Sequence, residues 1–288
     1  MSSMKKLQSH EYYLTPEELR VVQLTQLELL CEVDRICRKC GVTYRIIAGT
    51  LLGAVRHGGY IPWDDDADVG FLREEYEQFK VACEKELDTS KFYFQDHKNT
   101  PGYRWGYGKL RRKDTEFIRL NQEDMPYEQG IFIDIFPYDY VPDNVVLRQL
   151  HCFKCFLYRK AFWAPVGKNT SRGFSKLVYK LMDGIPAEKL YSRYERFIER
   201  SNRKDSKWIR ILTYPTPTKD HGYKRSWADE TAEYVFEGTS FLGPKEYDDY
   251  MTFKFGDYMS LPPESERKTH PVSKLKLTGE NLSTEPSL

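Results

Sequence analysis

The sequence predicts an α/β domain with a helical insertion. Strand-like and helix-like segments alternate through residues 15–143, which is the pattern of a sheet covered by helices. The chain then becomes basic, aromatic and helix-like over residues 144–182. Its 288 residues, 40% of them apolar, can bury a large core and exclude a disordered or fibrous protein. We expect one domain over residues 1–288, with a core at 15–143, a basic helical insertion at 144–205, a C-terminal part at 206–263 and a polar tail at 264–288.

The first element is a helix with clear start and stop signals. Thr15 can cap it, Pro16 suits its first position, Glu18 completes a capping box and Gly41 ends it. Apolar residues recur at helical spacing between these signals. The elements expected after it are, in order, a strand at 42–48, a short helix at 51–56, a strand at 64–72, a helix at 73–87, strands at 109–118 and 130–136, helices within 144–182 and at 187–201 and 244–255, and strand-like stretches at 209–212 and 234–236.

The charge of the chain is balanced, with 44 Lys and Arg residues against 43 Asp and Glu residues. Nucleic-acid-binding domains are usually far more basic, so we expect no nucleic-acid partner. Met1–His10 lacks the apolar centre of a signal peptide, and no stretch approaches the roughly 18 apolar residues of a membrane-spanning helix. We therefore expect a cytoplasmic protein.

The cysteines offer a possible zinc site. Six cysteines are too few for a disulfide scaffold in a chain of 288 residues, which fits a reducing compartment. Two pairs, Cys37/Cys40 and Cys152/Cys155, have the spacing of zinc ligands. Both lie in helix-like sequence, where a three-residue spacing also marks one buried face. The sequence favours the buried face, with zinc as the alternative.

An acidic cluster is the most informative feature of the sequence. Four aspartates fall within five residues: Asp64, Asp65, Asp66 and Asp68. On a strand, the side chains of Asp64, Asp66 and Asp68 would share one face, with Asp65 on the other. Carboxylates that close repel one another, and a fold tolerates them best around a cation. Oxygen ligands with open positions suit Mg²⁺, or Mn²⁺ in its place, in a site for phosphoryl chemistry.

Two alternatives to a catalytic metal site compete for this cluster. A solvated acidic turn is the usual explanation of an acidic run, but the apolar neighbours Trp63 and Phe71 place this one beside a core. A calcium-binding loop would need glycine where Val69 stands. The catalytic site therefore remains the favoured hypothesis.

Two further segments support a phosphate site. Gly49-Thr50 follows a predicted strand and begins a helical turn, where backbone N–H groups can approach a phosphate. Asp134 is an acid within an otherwise apolar strand, and a buried carboxylate must be paired or bound to a metal. Considered alone, the first could be an ordinary turn and the second an ion pair with an arginine. Together with the acidic cluster, they are more specific.

The order of these segments is similar to the pattern of the nucleotidyltransferase superfamily. More narrowly, AGTLLGAVRHGGYIPWDDDADVGF at 48–71 closely resembles the signature of the LicD family, which includes the fukutin-type proteins. The resemblance continues through GIFIDIFPYDYVPDN at 130–144 and FGDYMSLPP at 255–263. The fold it implies is a nucleotidyltransferase-like mixed sheet flanked by helices.

The resemblance implies a Mg²⁺-dependent phosphotransferase. Its donor would be a CDP-linked alcohol, and it would move phosphocholine or a related phospho-alcohol to a sugar hydroxyl. The acceptor would be a cell-surface glycan, such as lipopolysaccharide or teichoic acid, or a lipid-linked precursor. The family pattern carries its metal carboxylates onto Asp66 and Asp68, with Asp64 beside them, and the third superfamily carboxylate matches Asp134. The alternatives are a nucleotidyltransferase that adds NMP to a sugar phosphate and a non-enzymatic glycan-assembly protein.

This chemistry suggests roles for further residues. Asp134 or Asp64 could accept the proton of the acceptor hydroxyl. The candidate phosphate-binding side chains are Arg56, His57, Lys109 and Arg111, although solvated surface positions would also explain them. The aromatic candidates for stacking a base or caging choline are Tyr60, Trp63, Trp105 and Tyr107, although aromatic residues are more often core.

The insertion suggests a membrane contact. Residues 144–182 contain no Asp or Glu, and Lys and Arg alternate with aromatic and aliphatic residues. This composition is typical of a helix at a membrane surface, and a core helical hairpin with a solvated basic side is the alternative. The implied lipid-linked acceptors favour peripheral contact with the inner membrane face.

Overall fold

The computed structural model describes residues 12–215 and 219–277. Within them the α-helices are α1 (Pro16–Cys40), α2 (Ala48–His57), α3 (Arg73–Glu86), α4 (Val145–Thr170), α5 (Gly173–Asp183), α6 (Ala187–Ser201) and α7 (Tyr247–Phe255). The strands are β1 (Arg45–Ile46), β2 (Asp68–Leu72), β3 (Phe92–Gln95), β4 (Gly108–Arg112), β5 (Glu116–Arg119), β6 (Phe132–Val141), β7 (Trp208–Arg210), β8 (Tyr223–Lys224), β9 (Thr231–Phe236), β10 (Thr239–Pro244) and β11 (Val272–Lys276). The prediction for Met1–His10 lies outside the described residues.

The central sheet is mixed, which confirms the mixed α/β prediction. Its main path runs β1-β2-β6-β4-β3, and β2 and β6 form a parallel pair. Strand β4 pairs with the first half of β6, and β7 pairs with the end of β6. The long strand β6 therefore joins two parts of the sheet. Strand β8 pairs with β7, β9 and β10 form a hairpin, and β11 pairs antiparallel with β5, which lies far from it in the sequence.

Helix α1 forms as its sequence signals predict. The Thr15 hydroxyl accepts a bond from the Glu18 N–H at 3.2 Å, and the Glu18 carboxylate accepts one from the Thr15 N–H at 2.9 Å. Gly41 ends the helix with φ of 67°, a left-handed conformation that glycine adopts without strain. Because apolar residues recur along one side, α1 buries that side against the sheet and α3.

The insertion packs beside this core as a unit of three helices. One side of α4, including Cys155 and Phe162, meets Leu190 and Tyr194 of α6 in a second apolar cluster. Arg148 fastens the start of α4, since its guanidinium donates to three backbone carbonyls. None of the helices in the described part of the chain has the length and apolarity needed to cross a bilayer.

Several predicted boundaries are wrong. The strand expected at 64–72 begins only at Asp68, because residues 64–67 have no ladder partner. The strand expected at 109–118 is two strands, separated by a turn at Asp114 with φ of 62°. The polar tail expected from residue 264 contains a strand of the fold, because β11 pairs with β5 and buries Val272. Residues 278–288 of that tail lie outside the described residues.

Candidate active site

Three charged side chains lie side by side across the middle of the sheet. Asp68 on β2 is the register partner of Asp134 on β6, and Asp134 is the partner of Lys109 on β4. Register partners on adjacent strands project from the same face. The Lys109 ammonium donates to the Asp134 carboxylate. The sheet therefore brings together two of the predicted carboxylates and one predicted phosphate-binding lysine.

The start of α2 is held against the other predicted aspartates. A Cβ atom on Gly49 would lie 2.6 Å from Asp64 Oδ2, so any other residue here would displace the Asp64 carboxylate. The Thr50 hydroxyl accepts a hydrogen bond of 2.8 Å from the Asp68 N–H. Asp64 lies within hydrogen-bonding reach of Asp66, just before β2. Although residues 64–67 are not a strand, Asp64, Asp66 and Asp68 still interact with one another.

Burial and repulsion from neighbouring carboxylates both raise the pKa values of Asp64 and Asp68. Burial raises the pKa of Asp64 well above its usual value, and the adjacent charge of Asp66 raises it further. Burial also raises the pKa of Asp68, with added repulsion from Asp66 and Asp134, while Lys254 on α7 opposes the shift. A carboxylate set that repels itself in this way is the arrangement that a bound cation stabilises.

Lys109 is the cation closest to this set. Burial lowers its pKa to about 8, although the ion pair with Asp134 acts in the opposite direction. Burial raises the pKa of Asp134, and the charge of Lys109 partly offsets that rise. With a pKa near 8, Lys109 carries its proton at neutral pH and directs a positive charge at the site.

Asp65, unlike Asp64, Asp66 and Asp68, is paired with basic side chains. It is buried, its carboxylate pairs with Arg119, and it accepts from His270 Nδ1 at 2.7 Å. Burial raises the pKa of Asp65, but the bonds from His270 and Arg119 outweigh burial and hold it below its usual value. The bond to Asp65 in turn raises the pKa of His270. Asp65 therefore anchors β5 and the segment before β11 beside the site.

Among the residues that the structure describes, one group of potential metal ligands is compact enough to hold an ion. The ligand atoms of Asp65, Asp66 and His270 all lie within 4.8 Å of one another. Both oxygens of the Asp65 carboxylate are already engaged, Oδ2 by Arg119 and Oδ1 by His270 Nδ1, so neither is free for a cation. Asp66, which faces the other aspartates, is the member of this group best suited to a metal.

The cysteine pairs do not join this group. Cys37 packs in the main core and Cys155 in the core of the insertion, whereas Cys40 is exposed and Cys152 is half-buried, so the buried-face interpretation holds for one cysteine of each pair. Within the described residues, neither pair belongs to a set of three or more close metal-ligating side chains.

A pocket of 320 Å³ adjoins the Asp134 and Lys109 end of the row of charged side chains. Its charged lining consists of Asp66, Asp134, Lys109, Arg119 and His270. Its aromatic lining is Trp105, Tyr107, Phe132 and Trp163. Trp105 and Trp163 lie with ring centroids 5.5 Å apart, and Trp105 and Tyr107 lie 6.4 Å apart. The pocket thus combines acidic oxygens and cationic groups with an aromatic wall.

Three predicted phosphate-binding residues lie away from this pocket. Arg56 and His57 are at the other end of α2, about 10 Å along the helix from Gly49 at 1.5 Å per residue. Arg56 Nη1 donates to the Tyr258 carbonyl at 2.7 Å, so it fastens the C-terminal loop. Arg111 is buried, and its guanidinium donates to Gln95 and to the Gly130 carbonyl. Phosphate binding by Arg56, His57 and Arg111 stays a prediction that the geometry does not support.

Two of the four aromatic candidates line the pocket and two lie outside it. Trp105 and Tyr107 line the pocket, whereas Tyr60 is buried with its ring centroid 4.8 Å from that of Phe236. Trp63 lies outside the pocket, with its ring edge-on to His57.

Four residues that the fold brings to the site were not predicted from the sequence. These are Arg119, Trp163, Lys254 and His270. Only Lys254 gave a local signal, as a lysine between two phenylalanines in a predicted helix. Contacts such as that between Asp65 and His270, 205 positions apart, leave no trace in local spacing.

Removing one charge from the cluster is expected to stabilise the metal-free protein. Asp64→Asn keeps the side-chain shape and removes its repulsion with Asp66, so the free energy of unfolding in EDTA should rise by about 1 kcal/mol, a typical gain at a functional site. Urea denaturation measures this. Added Mg²⁺ should stabilise the original protein more than the variant. Glu84→Gln on the exposed side of α3 is the matched control, and a loss of stability confined to Asp64→Asn would contradict the repulsion.

Comparison with known proteins identifies relatives of this chain. The family model described as LicD/FKTN/FKRP, nucleotidyltransferase domain, matches residues 41–178. The chain is 27% identical over 263 residues to the lipopolysaccharide cholinephosphotransferase LicD of Haemophilus influenzae, covering 88% of this chain and 96% of that protein. It is 48% identical over 40 residues to the human ribitol 5-phosphate transferase FKRP, covering 14% of this chain and 8% of that protein. An uncharacterised protein of Rickettsia typhi is 42% identical over 57 residues, 20% of this chain and 18% of that protein.

Proposed function

This chain carries a LicD-family domain, and on that basis we propose that it transfers a phospho-alcohol from a CDP-linked donor to a sugar hydroxyl of a glycan. Its relatives make it a transferase of phosphate-containing groups. One observation supports the proposal of this donor and acceptor. Asp134 and Lys109, which are neighbours across the sheet, line a pocket together with Asp66, and the same pocket has an aromatic wall. A donor with two phosphates and an alcohol needs both kinds of surface.

The residues present fit a divalent cation. The donor set is all oxygen, the carboxyl groups of Asp64 and Asp68 have raised pKa values in its absence, and Mg²⁺ prefers such ligands. We propose that Asp66, Asp68 and Asp134 hold Mg²⁺, with Mn²⁺ as a substitute. When bound, the ion supplies neutralisation of the negative charge on the transferred phosphate and on the leaving CMP.

The side chains of the chain itself bind and orient the substrates. Lys109 and Arg119 direct positive charge at the pocket, where they would pair with phosphate oxygens. Gly49 lets the start of α2 lie against the Asp64 carboxylate without a Cβ atom in the way, and its backbone N–H groups would there meet a phosphate held among the aspartates. Together these groups would hold the pyrophosphate in one orientation for attack.

Asp64 is the better candidate for the base that accepts the hydroxyl proton. Asp134 already accepts a hydrogen bond from Lys109, which reduces its basicity. Asp64 has no such cationic donor among the described residues, and burial raises its pKa, which makes it a stronger base than an exposed carboxylate. Asp64→Asn should therefore lose turnover although it gains stability, a combination expected of a functional carboxylate.

The aromatic wall supports an alcohol with a quaternary ammonium group, such as choline. Such cations bind over aromatic faces with energies of roughly 0.5–2 kcal/mol. We expect Trp163→Ala to raise KM for CDP-choline about tenfold and to change KM for CDP-glycerol little, since glycerol has no charge. Trp63→Ala, outside the pocket, is the matched control. An equal rise in KM for both donors would show that Trp163 shapes the pocket without recognising the cation.

The proposal is tested by measuring CMP release from a panel of CDP-alcohols, with Mg²⁺ or EDTA, in the presence and absence of glycan acceptors. We expect one CDP-alcohol to give CMP release that depends on both the cation and an acceptor. Release of pyrophosphate from CTP with a sugar phosphate would instead identify the nucleotidyltransferase alternative. Absence of turnover with every donor, with intact glycan binding, would favour the non-enzymatic alternative.

A further inference from the structure

The outer side of the α4–α5 hairpin exposes an unusual amount of apolar surface. Ten of the sixteen large apolar side chains that are exposed in the described residues belong to these two helices. They are Val145, Val146, Leu147, Leu150, Phe153, Phe156 and Leu157 on α4, and Phe174, Leu177 and Leu181 on α5. We call this set the hairpin face. Apolar side chains exposed singly are ordinary on a soluble protein, whereas ten on two adjacent helices indicate a binding surface.

Helix α5 turns its apolar side toward solvent. Its apolar residues Phe174, Leu177 and Leu181 recur at spacings of three and four, so they form one stripe. That stripe points outward, with Phe174 80% exposed, while Tyr179 is the residue that α5 buries. A surface helix normally turns such a stripe inward, and α5 does the opposite.

Basic residues flank the hairpin face and no acidic ones lie within it. Lys154 on α4 and Arg172, Lys176 and Lys180 around α5 are exposed. From residue 144 to 182 there is no Asp or Glu. The centres of protein–protein interfaces are depleted in lysine, whereas helices that lie on a bilayer combine Lys and Arg with Phe and Leu. The chemistry of the face therefore fits an anionic lipid surface better than a second protein.

A groove continues the hairpin face onto α6. It has a volume of 650 Å³, with an apolar interior that includes Leu157, Ile185 and Phe197. Its basic side chains are Lys154, Arg193, Arg196 and Arg200. An apolar groove edged by four cations matches a lipid, whose phosphate and acyl chain have the same arrangement of charge and apolar surface.

We propose that the hairpin face and this groove dock the protein on a bilayer that contains anionic phospholipid. The apolar side chains would enter the boundary between headgroups and acyl chains, and the surrounding lysines and arginines would contact lipid phosphates. Helix α4 also carries Trp163 in the wall of the candidate active site, so docking would bring that pocket close to the membrane. Presentation of a lipid-linked acceptor there rests on the proposed function, but lipid binding itself does not.

Vesicle co-sedimentation tests the docking without any need for turnover. The full chain should bind vesicles of phosphatidylcholine with about 30% phosphatidylglycerol at low salt, and binding should fall at least about tenfold at high salt. Vesicles of phosphatidylcholine alone should bind it much more weakly. Equal binding to both vesicle types, or no binding to either at low salt, would overturn the proposal.

Two variants separate the charges from the apolar side chains. Lys154→Glu, Lys176→Glu and Lys180→Glu combined should weaken binding by about a hundredfold or more, from roughly 1 kcal/mol per contact. The control combines Lys85→Glu, Lys204→Glu and Lys224→Glu, which make the same change in net charge at exposed lysines elsewhere. Phe174→Ser with Leu181→Ser should reduce binding at all salt concentrations.

The same variants identify the competing occupant, a second copy of this chain. Sedimentation velocity of the protein alone reports its oligomeric state. Two results together would assign the hairpin face to self-association and overturn lipid docking. The original protein would form a dimer and not bind anionic vesicles, and the combined variant Phe174→Ser with Leu181→Ser would be a monomer. An equal loss of vesicle binding in both lysine variants would show only a net-charge effect and would also overturn it.

Discussion

Asp68→Asn is expected to lower kcat/KM for phospho-alcohol transfer by at least about a thousandfold, or about 4 kcal/mol of transition-state stabilisation. The amide keeps the size of the side chain but removes one negative charge from the set that would hold the cation. Backbone pairing with Asp134 and the bond from the Asp68 N–H to Thr50 do not involve the side chain, so the fold should survive. Rates with CDP-choline and a glycan acceptor measure the loss.

Two comparisons make this prediction specific. Glu84→Gln removes an exposed carboxylate from α3 and should leave kcat/KM unchanged. The Asp68→Asn protein should require much more Mg²⁺ to reach its residual rate, because one ligand charge is missing. Turnover close to that of the original protein, at the same Mg²⁺ concentration, would remove Asp68 from the metal site.

Asp139→Ala is expected to lower the free energy of unfolding by about 3–5 kcal/mol, the usual cost of breaking a buried ion pair. Asp139 is fully buried on β6 and accepts two hydrogen bonds of 2.7 Å from the Arg73 guanidinium. A third comes from Asn202 at 2.7 Å. Truncation would leave the Arg73 charge largely buried without its partner.

Urea denaturation of the variant measures this cost. Arg73 has a second partner, Glu77, at 3.2 Å, and that carboxylate is half exposed to solvent. Glu77→Ala is therefore the matched control, with an expected loss of about 0.5 kcal/mol or less. Equal losses in Asp139→Ala and Glu77→Ala would show that burial does not strengthen the first ion pair. The pair matters for the site because it joins α3 to the strand that carries Asp134.

Elements with local signals could be predicted from the sequence. The capping box at Thr15 and the glycine at 41 gave both ends of α1, and α3 and α6 followed from apolar periodicity. The short strands β3, β10 and β11 were missed. Each is stabilised by a partner strand, and a stretch of four to six residues carries too little periodicity to be recognised alone.

For the candidate site, the carboxylates could be predicted from the sequence, but their arrangement could not. Asp64, Asp66, Asp68 and Asp134 drew notice because acids are costly in apolar surroundings. Their side-by-side placement depends on the parallel register of β2 and β6, which no local pattern specifies. Arg56 and His57 follow the glycine turn in sequence, but α2 carries them away from it, because a helix of ten residues separates its two ends by about 15 Å.

The fate of the two halves of the donor tests the central claim most directly. CDP-choline labelled in the choline methyl groups and in the phosphate next to choline would be incubated with the protein, Mg²⁺ and a glycan acceptor. We predict that the acceptor gains both labels in equal amounts and that unlabelled CMP is released in the same quantity. An acceptor that gains cytidine, or that gains neither label while the protein binds donor and acceptor, would contradict phospho-alcohol transfer.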